Sequence, residues 1–526
     1  MYGTGETSTT ATEGIAQMGA IAMPGFIQEC LAHIPLVAGK KVRVGLLGTL
    51  RKVFEYVKGI EQFDQLKAAL SSDPRIELVT DDNIVADGIV WAGQLDNAEA
   101  VAQHFIAEKV DVVLAVCCNY GDEETMATVA KKVHKARRVP VYTFVFPDLP
   151  FEPDGRRLLD NGCGILPSRQ FMRLAIGRNP GYIPTAPLDS EVFRNGLTDM
   201  LRVAGGVRAV RSVRGIQIGT DQQTFPAIEW PRAEFRRHFD TRVEPMDPGA
   251  FRQRLVDGLN HPPNWLQEGV GYVSQWIDFS DVVGEFPDTA KLTALAFGFI
   301  IETLAQKQSN CVSINCWPDI MEDPELRFMI CAVNGLLYQH GIPAACETDW
   351  PGNHASAMLQ GMVIGGNPAK NVVAFADWTT FYVPEGLVLF WHCGPFAPGL
   401  CRGGCKAAAK PGWIIPVPDG CAGLLHQKWG EIGDCVTFAQ IRPDGQGKLT
   451  LVGYNGCIGE GPETIGSQFW IALGSEEQAR KQEDFNYRNP VDHHHACMLG
   501  VNLVYLLPEV ASWLGLECAT TDNLSA

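Results

Sequence analysis

No window of about 18 uninterrupted apolar residues occurs in this chain, so the sequence offers no membrane-crossing helix. The first stretch, MYGTGETSTTATEG, has no basic segment followed by an apolar one and does not read as an export signal. None of the sixteen cysteines forms a C-x-x-C pair. The nearest sets, Cys117 with Cys118, Cys311 with Cys316 and Cys401 with Cys405, do not have zinc-ribbon spacing. The cysteines therefore read as buried or half-buried free thiols, and the expected location is a reducing cytoplasm. Positive charge is also short. A formal net charge of −17 disfavours nucleic acid and anionic membranes as partners, since both repel an acidic surface. After the first strand, GLLGTL (45–50) lacks both G-x-G-x-x-G and G-K-[ST], so it is an ordinary turn and not a nucleotide site.

What remains is a globular composition, 46% hydrophobic and 20% charged. Single cores stop growing at roughly 250–300 residues, so 526 residues imply about two to four domains. Residues 1–38 start Thr/Ser-rich and read as an arm. Then strands and helices alternate: a strand over 41–50, a helix over 51–70, a strand over 75–79, a helix in NAEAVAQHFIAEKV, a strand in DVVLAVC, a helix in DEETMATVAKKVHKA and a strand in VPVYTFV. That alternation predicts a doubly wound parallel sheet over 39–185. A second such unit, 186–355, holds VRGIQIG, a helix from Thr289 to Gln306, the strand CVSINCW (311–317), a helix over 323–340 and the strand before Glu347. Over 356–526 the chain turns to Gly, Pro and short apolar runs, as in WIIPVPDG and RPDGQGKLTLVG, where Asp-Gly suits a tight hairpin. The predicted architecture is two α/β domains followed by a β-rich, antiparallel barrel-like domain.

The chemistry gathers late in the chain. CETDWPGNH (346–354) follows an apolar run and puts Glu347 at a strand end; NVVAFADW (371–378) does the same for Asp377. A cluster, His493, His494 and His495, stands before the apolar stretch ACMLGVNLVYLLPEVASWLG, which reads as a helix. Ligands of parallel α/β sheets sit beyond the carboxyl ends of the strands. A lone acid there is as often a helix cap as a functional group; two acids with a histidine cluster shift the balance. Glu, Asp and His together suit a hard or borderline divalent ion, Mn²⁺ first, with Mg²⁺ or Co²⁺ as alternatives. His495 is the expected ligand, with Asp492 or a neighbour orienting it. His392, in LVLFWHCGPFAP, is either a fourth site residue or a satisfied core histidine. Arg208, Arg211 and Arg214, spaced by three, are either an anion site or, with more weight, a solvated or subunit-facing strip. CRGGCKAAAK (401–410) reads as a mobile loop near the site.

In their order, CETD, FADW, WHCG and a C-terminal histidine cluster behind two α/β domains, these motifs resemble the L-fucose isomerase and L-arabinose isomerase family of metal-dependent ketol isomerases, and the L-fucose type most. The resemblance is strongest over 342–400 and 493–500. It implies an aldose–ketose isomerase acting through an enediolate on L-fucose, D-arabinose or a related deoxy or modified aldose. It also implies that Glu347 and Asp377 are catalytic and metal-binding, with one of His494 or His495 as the metal histidine. In the arabinose branch a histidine at the metal occupies the position that His392 matches. CCNYGDEETM (117–126) resembles the first-domain loop that reaches a neighbouring subunit's site in a homohexamer, which brings Asn119 and Tyr120 to the sugar beside His392, His494 and Trp378. The usual aromatic of that loop is Cys118 here, and the arm is extra; both bear on the substrate more than on the reaction. Two other classes fit less well. Tandem α/β domains also build non-catalytic sugar-binding proteins, and a non-haem iron oxygenase needs two histidines and one carboxylate.

Overall fold

The computed structural model describes residues 22–221, 226–317, 319–364, 372–382, 384–412, 420–443 and 448–521. Three sheets organise the chain. The first has six strands, all parallel, in the order Ile76–Val79, Val42–Leu50, Val112–Cys117, Val141–Val145 and Gly181–Tyr182, with Ile89–Trp91 also on Val42–Leu50. Val112–Cys117 and Val141–Val145 are buried along their whole length, because helices cover both faces. The second sheet is parallel too, in the order Ala344–Cys346, Cys311–Ile314, Arg214–Ile218 and Arg242–Met246.

The third sheet is where the fold closes. Leu449–Gly459, Cys435–Pro443, His494–Leu499, Val373–Tyr382, Leu387–His392 and Ser467–Ala472 pair antiparallel in that order, and the last pairs back onto the first. Six strands thus form a barrel without free edges among themselves. Its interior is aromatic: Phe390 stacks on Phe438 at 4.3 Å and on Phe469 at 5.3 Å. Ala374, Ala376, Cys497 and Leu499 belong to this core, whereas Val373, Phe375, Ala496 and Met498 belong to the larger core outside the barrel. Strand alternation makes the division, since successive side chains point to opposite faces. The hairpin predicted at RPDGQGKLTLVG is present in the pairing of Cys435–Pro443 with Leu449–Gly459; its turn, like most of WIIPVPDG, lies outside the described residues.

The barrel docks on the second sheet through the helix Trp350–Met362, every residue of which is buried. At Gly352 the approach is so close that a Cβ would stand 2.4 Å from the Phe375 ring, which only glycine permits. At the other end of the chain, Gly25–His33 is a helix within the expected arm, and Phe26 stacks on Trp265 at 5.5 Å.

Several expectations need correction. Asp377 is not at a strand tip: its strand runs on from Val373 to Tyr382, and the sheet is antiparallel. The stretch after His494 is a strand, His494–Leu499, and the helix begins only at Leu507. Both faces of that strand are covered, so its apolar run lacks the polar alternation that would have marked it. The helix expected over 51–70 spans Tyr56–Ser72, and the one over 323–340 spans Cys331–Gln339. Cys401 and Cys405 form a disulfide, against the expectation of free thiols; the other fourteen cysteines are free. The loop around them is tied down, with Arg402 paired to Glu460 at 2.9 Å and bonded to the Gly430 carbonyl at 2.9 Å. The three arginines form no strip. Arg208 pairs with Asp111 and Arg214 with Asp240, while Arg211 bonds the Trp513 carbonyl. No helix among the described residues is long and apolar enough to cross a membrane.

Candidate metal centre

Glu347 follows the strand Ala344–Cys346 with a φ of 55°, and Thr348 follows with 56°. Two successive non-glycine residues in the left-handed region cost on the order of 1–3 kcal/mol each, and such strain collects at functional sites. The turn it makes brings Glu347 and Asp349 to face the barrel. Asp349 then caps the next helix by accepting from the Gly352 N–H at 2.8 Å.

Across from them stands His494. Its Nδ1 lies 2.9 Å from Asp349 Oδ2, and its Nε2 lies 3.6 Å from Glu347 Oε2 and 3.3 Å from Asp377 Oδ1. Asp377 and His494 are directly opposed across antiparallel strands, so both project from the outer face of the barrel. Arg442 grips Asp349 with two hydrogen bonds, 3.0 and 2.8 Å, and reaches Asp492 at 2.9 Å. Asp349 is therefore an acceptor for the Nδ1 proton of His494, and Nε2 is aimed between Glu347 and Asp377.

Charge and unmet bonding both point to a cation here. Four buried or half-buried carboxylates, Glu347, Asp349, Asp377 and Asp492, face the Arg442 guanidinium and the imidazoles of His392, His493 and His494, of which burial holds His392 and His493 neutral. Glu347 Oε2, Asp377 Oδ1, His392 Nε2 and His494 Nε2 are all buried without a hydrogen-bond partner. Asp377, His392 and His494 bring ligand atoms within 4.8 Å of one another, as do Glu347, His493 and His494. Burial pushes the Asp377 carboxyl up to about 7, against the pull of His494 and with the push of Glu347; Glu347 is raised for the same first reason. His494 is raised to about 9: burial opposes its charge, but Asp349, Asp377 and Glu347 outweigh that.

Thiols lie behind these groups. Cys316 and Cys346 have sulfurs 3.1 Å apart, Cys331 and Cys393 3.2 Å, and two mixed groups, Cys346 with His392 and Cys393 and Cys316 with Cys346 and Glu347, are also within ligand range. All four thiols are raised above their usual range, which keeps them protonated and poor ligands. The carboxylate and imidazole atoms are the available donors, and they suit a hard or borderline ion.

Of the residues expected from the sequence, the structure brings together Glu347, Asp377, His392 and His494. His495 is elsewhere. It follows His494 in a strand, so it points into the barrel, where Trp378, Tyr454 and Phe390 surround it at 5.9, 5.6 and 5.5 Å between ring centres. Burial lowers its pKa to about 3. Trp378 is in the same interior group and not beside Asp377's carboxylate. Asp492 does not orient the histidine ring; it pairs with Arg442 and accepts from the His494 backbone N–H at 2.8 Å. Asn119 is fully buried and uses its amide to hold the Arg51 backbone, accepting at 3.0 Å and donating at 2.8 Å. Tyr120 stacks on Phe54 at 5.0 Å. Among the described residues, neither Asn119 nor Tyr120 bonds to the Glu347 group. Sequence reading missed Asp349 and Arg442. A lone arginine in the apolar strand CVTFAQIRP is the signal that finds them, because a buried guanidinium requires carboxylate partners.

Residues 45–211 match the sequence model described as the fucose/sulfoquinovose isomerase N-terminal domain. The chain is also similar to the sulfoquinovose isomerase of Alkalicoccus urumqiensis, 28% identical over 224 residues, which is 43% of this chain and 47% of that protein. The chain thus spans just under half the length of the curated relative it matches. The segment matched to the N-terminal domain carries the first sheet and ends before Glu347. Over that domain, and at low identity, the chain is similar to the fucose isomerase family.

Proposed function

We propose that this protein is a metal-dependent aldose–ketose isomerase acting on a free sugar: L-fucose, D-arabinose or a related deoxy or modified aldose. The convergence of Glu347, Asp377 and His494 with their inward atoms unpartnered carries the reading. Those three residues hold the ion, and His392 completes the group from the end of its strand. A divalent ion, Mn²⁺ before Mg²⁺ or Co²⁺, supplies Lewis-acid stabilisation of the negative charge that develops on two adjacent sugar oxygens.

The protein's own part is proton transfer and positioning. Moving a carbonyl between C1 and C2 requires removal of a weakly acidic C–H proton and its return at the neighbouring carbon. Glu347 and Asp377 are two carboxyl groups flanking one imidazole, with environments that raise both, so one can accept a proton while the other holds one. Asp349, held by Arg442, fixes the tautomer and direction of His494. The relative's name adds a sulfonated aldose to the sugars worth testing.

The assembly that goes with this reading is a cytoplasmic homo-oligomer, a hexamer by the family resemblance, in which the Tyr120 loop of one subunit lies over a neighbour's metal. Its support is the apolar exposure around that loop: Val53 is 83% exposed, Phe151 72% and Tyr56 44%, at the carboxyl edge of the first sheet. A metal-stripped sample assayed with L-fucose, D-arabinose, L-arabinose and sulfoquinovose, then repeated with Mn²⁺, tests the proposal. Isomerisation that appears only with metal supports it; binding of a sugar without turnover under every metal condition returns the protein to the non-catalytic class.

A further inference from the structure

We propose that a basic pocket remote from the Glu347 group binds a phosphorylated small molecule carrying at least two negative charges. The pocket has a volume of about 470 Å³, and Lys135, Arg138, Arg178, Arg211 and Arg237 line it with no acidic residue among its lining. In a chain of net charge −17, five cations with no carboxylate among the described lining residues call for a cause. Among the described residues none of the five forms an ion pair, although Arg208 and Arg214, three residues either side of Arg211, each do.

Helix ends are the ordinary cause. The helices Glu123–Arg137, Asn161–Ile176, Glu191–Arg211, Arg232–Phe239 and Leu507–Leu514 all finish here, and cations favour helix C-termini. Arg138 donates to the carbonyls of Arg237 and His238, Arg178 to that of Ser512 and Arg211 to that of Trp513. The magnitudes show that this does not suffice. Five helix ends at about −0.5 each offset roughly half of five unit charges. Donors are left over as well: Nε of Arg178 and both Nε and Nη1 of Arg211 are buried without a partner.

The remaining groups fit an anion. Burial, then the repulsion of Arg138 and Arg178, lowers Arg211 to about 9, so it is charged at neutral pH in surroundings that a bound anion would improve. His134 and His238, which face the same space, are lowered by burial and by neighbouring guanidiniums and add no positive charge at neutral pH. Trp513 forms an apolar wall, with the Arg178 guanidinium 5.4 Å from its ring centre. A volume of this size lies within the range of small-molecule sites, roughly 300–1,000 Å³, and exceeds what one inorganic phosphate fills. Guanidinium forks match phosphate oxygens in pairs, which favours phosphoryl groups over simple halides.

The pocket shares no residue with the Glu347 group, so its ligand is an effector or structural anion and not the reacting sugar, and the assignment stands whether or not the isomerase reading does. Calorimetric titration of the full-length protein with inorganic phosphate, pyrophosphate and fructose 1,6-bisphosphate, at matched ionic strength in chloride, tests it. Saturable binding of pyrophosphate or the bisphosphate at one per chain, tighter than phosphate and weakened at least tenfold by Arg211→Gln, is the expected result. Arg138→Gln, at an exposed position, gives the same test if the first variant misfolds. Lack of saturable binding by all three probes overturns the proposal, as does unchanged affinity in a folded variant. A change of oligomeric mass in the variants, with no anion binding by the parent, also overturns it and makes this surface a contact between copies.

Discussion

Asp377 and His494 are cross-strand partners in the barrel, and Nε2 of the histidine lies 3.3 Å from Oδ1 of the acid. Two strands distant in sequence thus deliver a carboxylate and an imidazole to one spot on the barrel's outer face. Glu347 meets them from the second sheet, 3.6 Å from the same nitrogen. The geometry depends on barrel register, since a slip of one residue in either strand would turn that strand's side chain into the aromatic interior.

Asp349 acts through His494, and its loss should show as weaker metal binding before it shows as anything else. Asp349→Asn keeps the volume and a hydrogen bond but removes the charge that fixes the Nδ1 proton. The expected effect is a 10–100-fold loss of Mn²⁺ affinity with activity recoverable at high metal. An activity loss that saturating metal does not relieve would place Asp349 in the chemistry itself.

Arg442 is 4% exposed at its side chain and joins Asp349 to Asp492. Arg442→Met strands two buried carboxylates, and removal of one partner of a buried pair costs about 3–5 kcal/mol. The denaturant midpoint should fall accordingly even in metal-free protein. A midpoint within experimental scatter of the parent would show that water compensates the acids.

The two adjacent histidines should part in behaviour. His494→Gln removes the central nitrogen and abolishes metal binding. His495→Phe replaces an imidazole whose Nε2 is buried without a partner inside an aromatic box, giving up a hydrogen bond to the His493 carbonyl worth about 1 kcal/mol. Near-parental metal affinity in His495→Phe is the prediction; loss in both would mean that the two faces of the strand are not independent.

These last residues show what was legible in the sequence. Helix and strand alternation in the two α/β units followed from periodicity, and the strand before Glu347 from its apolar run. The choice between His494 and His495 did not, because it turns on which face of a strand is the outside of a barrel, and a strand buried on both faces carries no polar alternation. Asp377 reads as a strand tip in the sequence, whereas its strand continues to Tyr382. Asp349 stood in plain view in CETD, yet its part depends on Arg442, 93 residues away.

Stability should fall on the acid side through two buried histidines outside the site. His340 and His354 are each lowered by burial to about 4 from 6.5, with His354 also bonded to the Trp350 carbonyl and to Thr241 at 2.7 Å. The unfolded chain binds protons at these positions below pH 6.5 and the folded one does not. Each therefore contributes stability that is complete above pH 6.5 and lost as pH falls through about 4, up to about 3 kcal/mol. His340→Gln with His354→Gln should flatten the decline of the unfolding midpoint between pH 7 and pH 4.5; an unchanged slope would assign acid sensitivity to other groups.

Mn²⁺ binding to metal-stripped protein, followed by calorimetry on the parent and on Glu347→Gln, Asp377→Asn and His494→Gln, tests the metal centre most directly. One ion per chain in the parent, with affinity reduced at least a hundredfold in each variant and isomerase activity lost by roughly 10²–10⁴-fold in the two acid variants, is what the geometry predicts. Parental Mn²⁺ affinity in all three variants would contradict it, because no ion could then lie between these side chains.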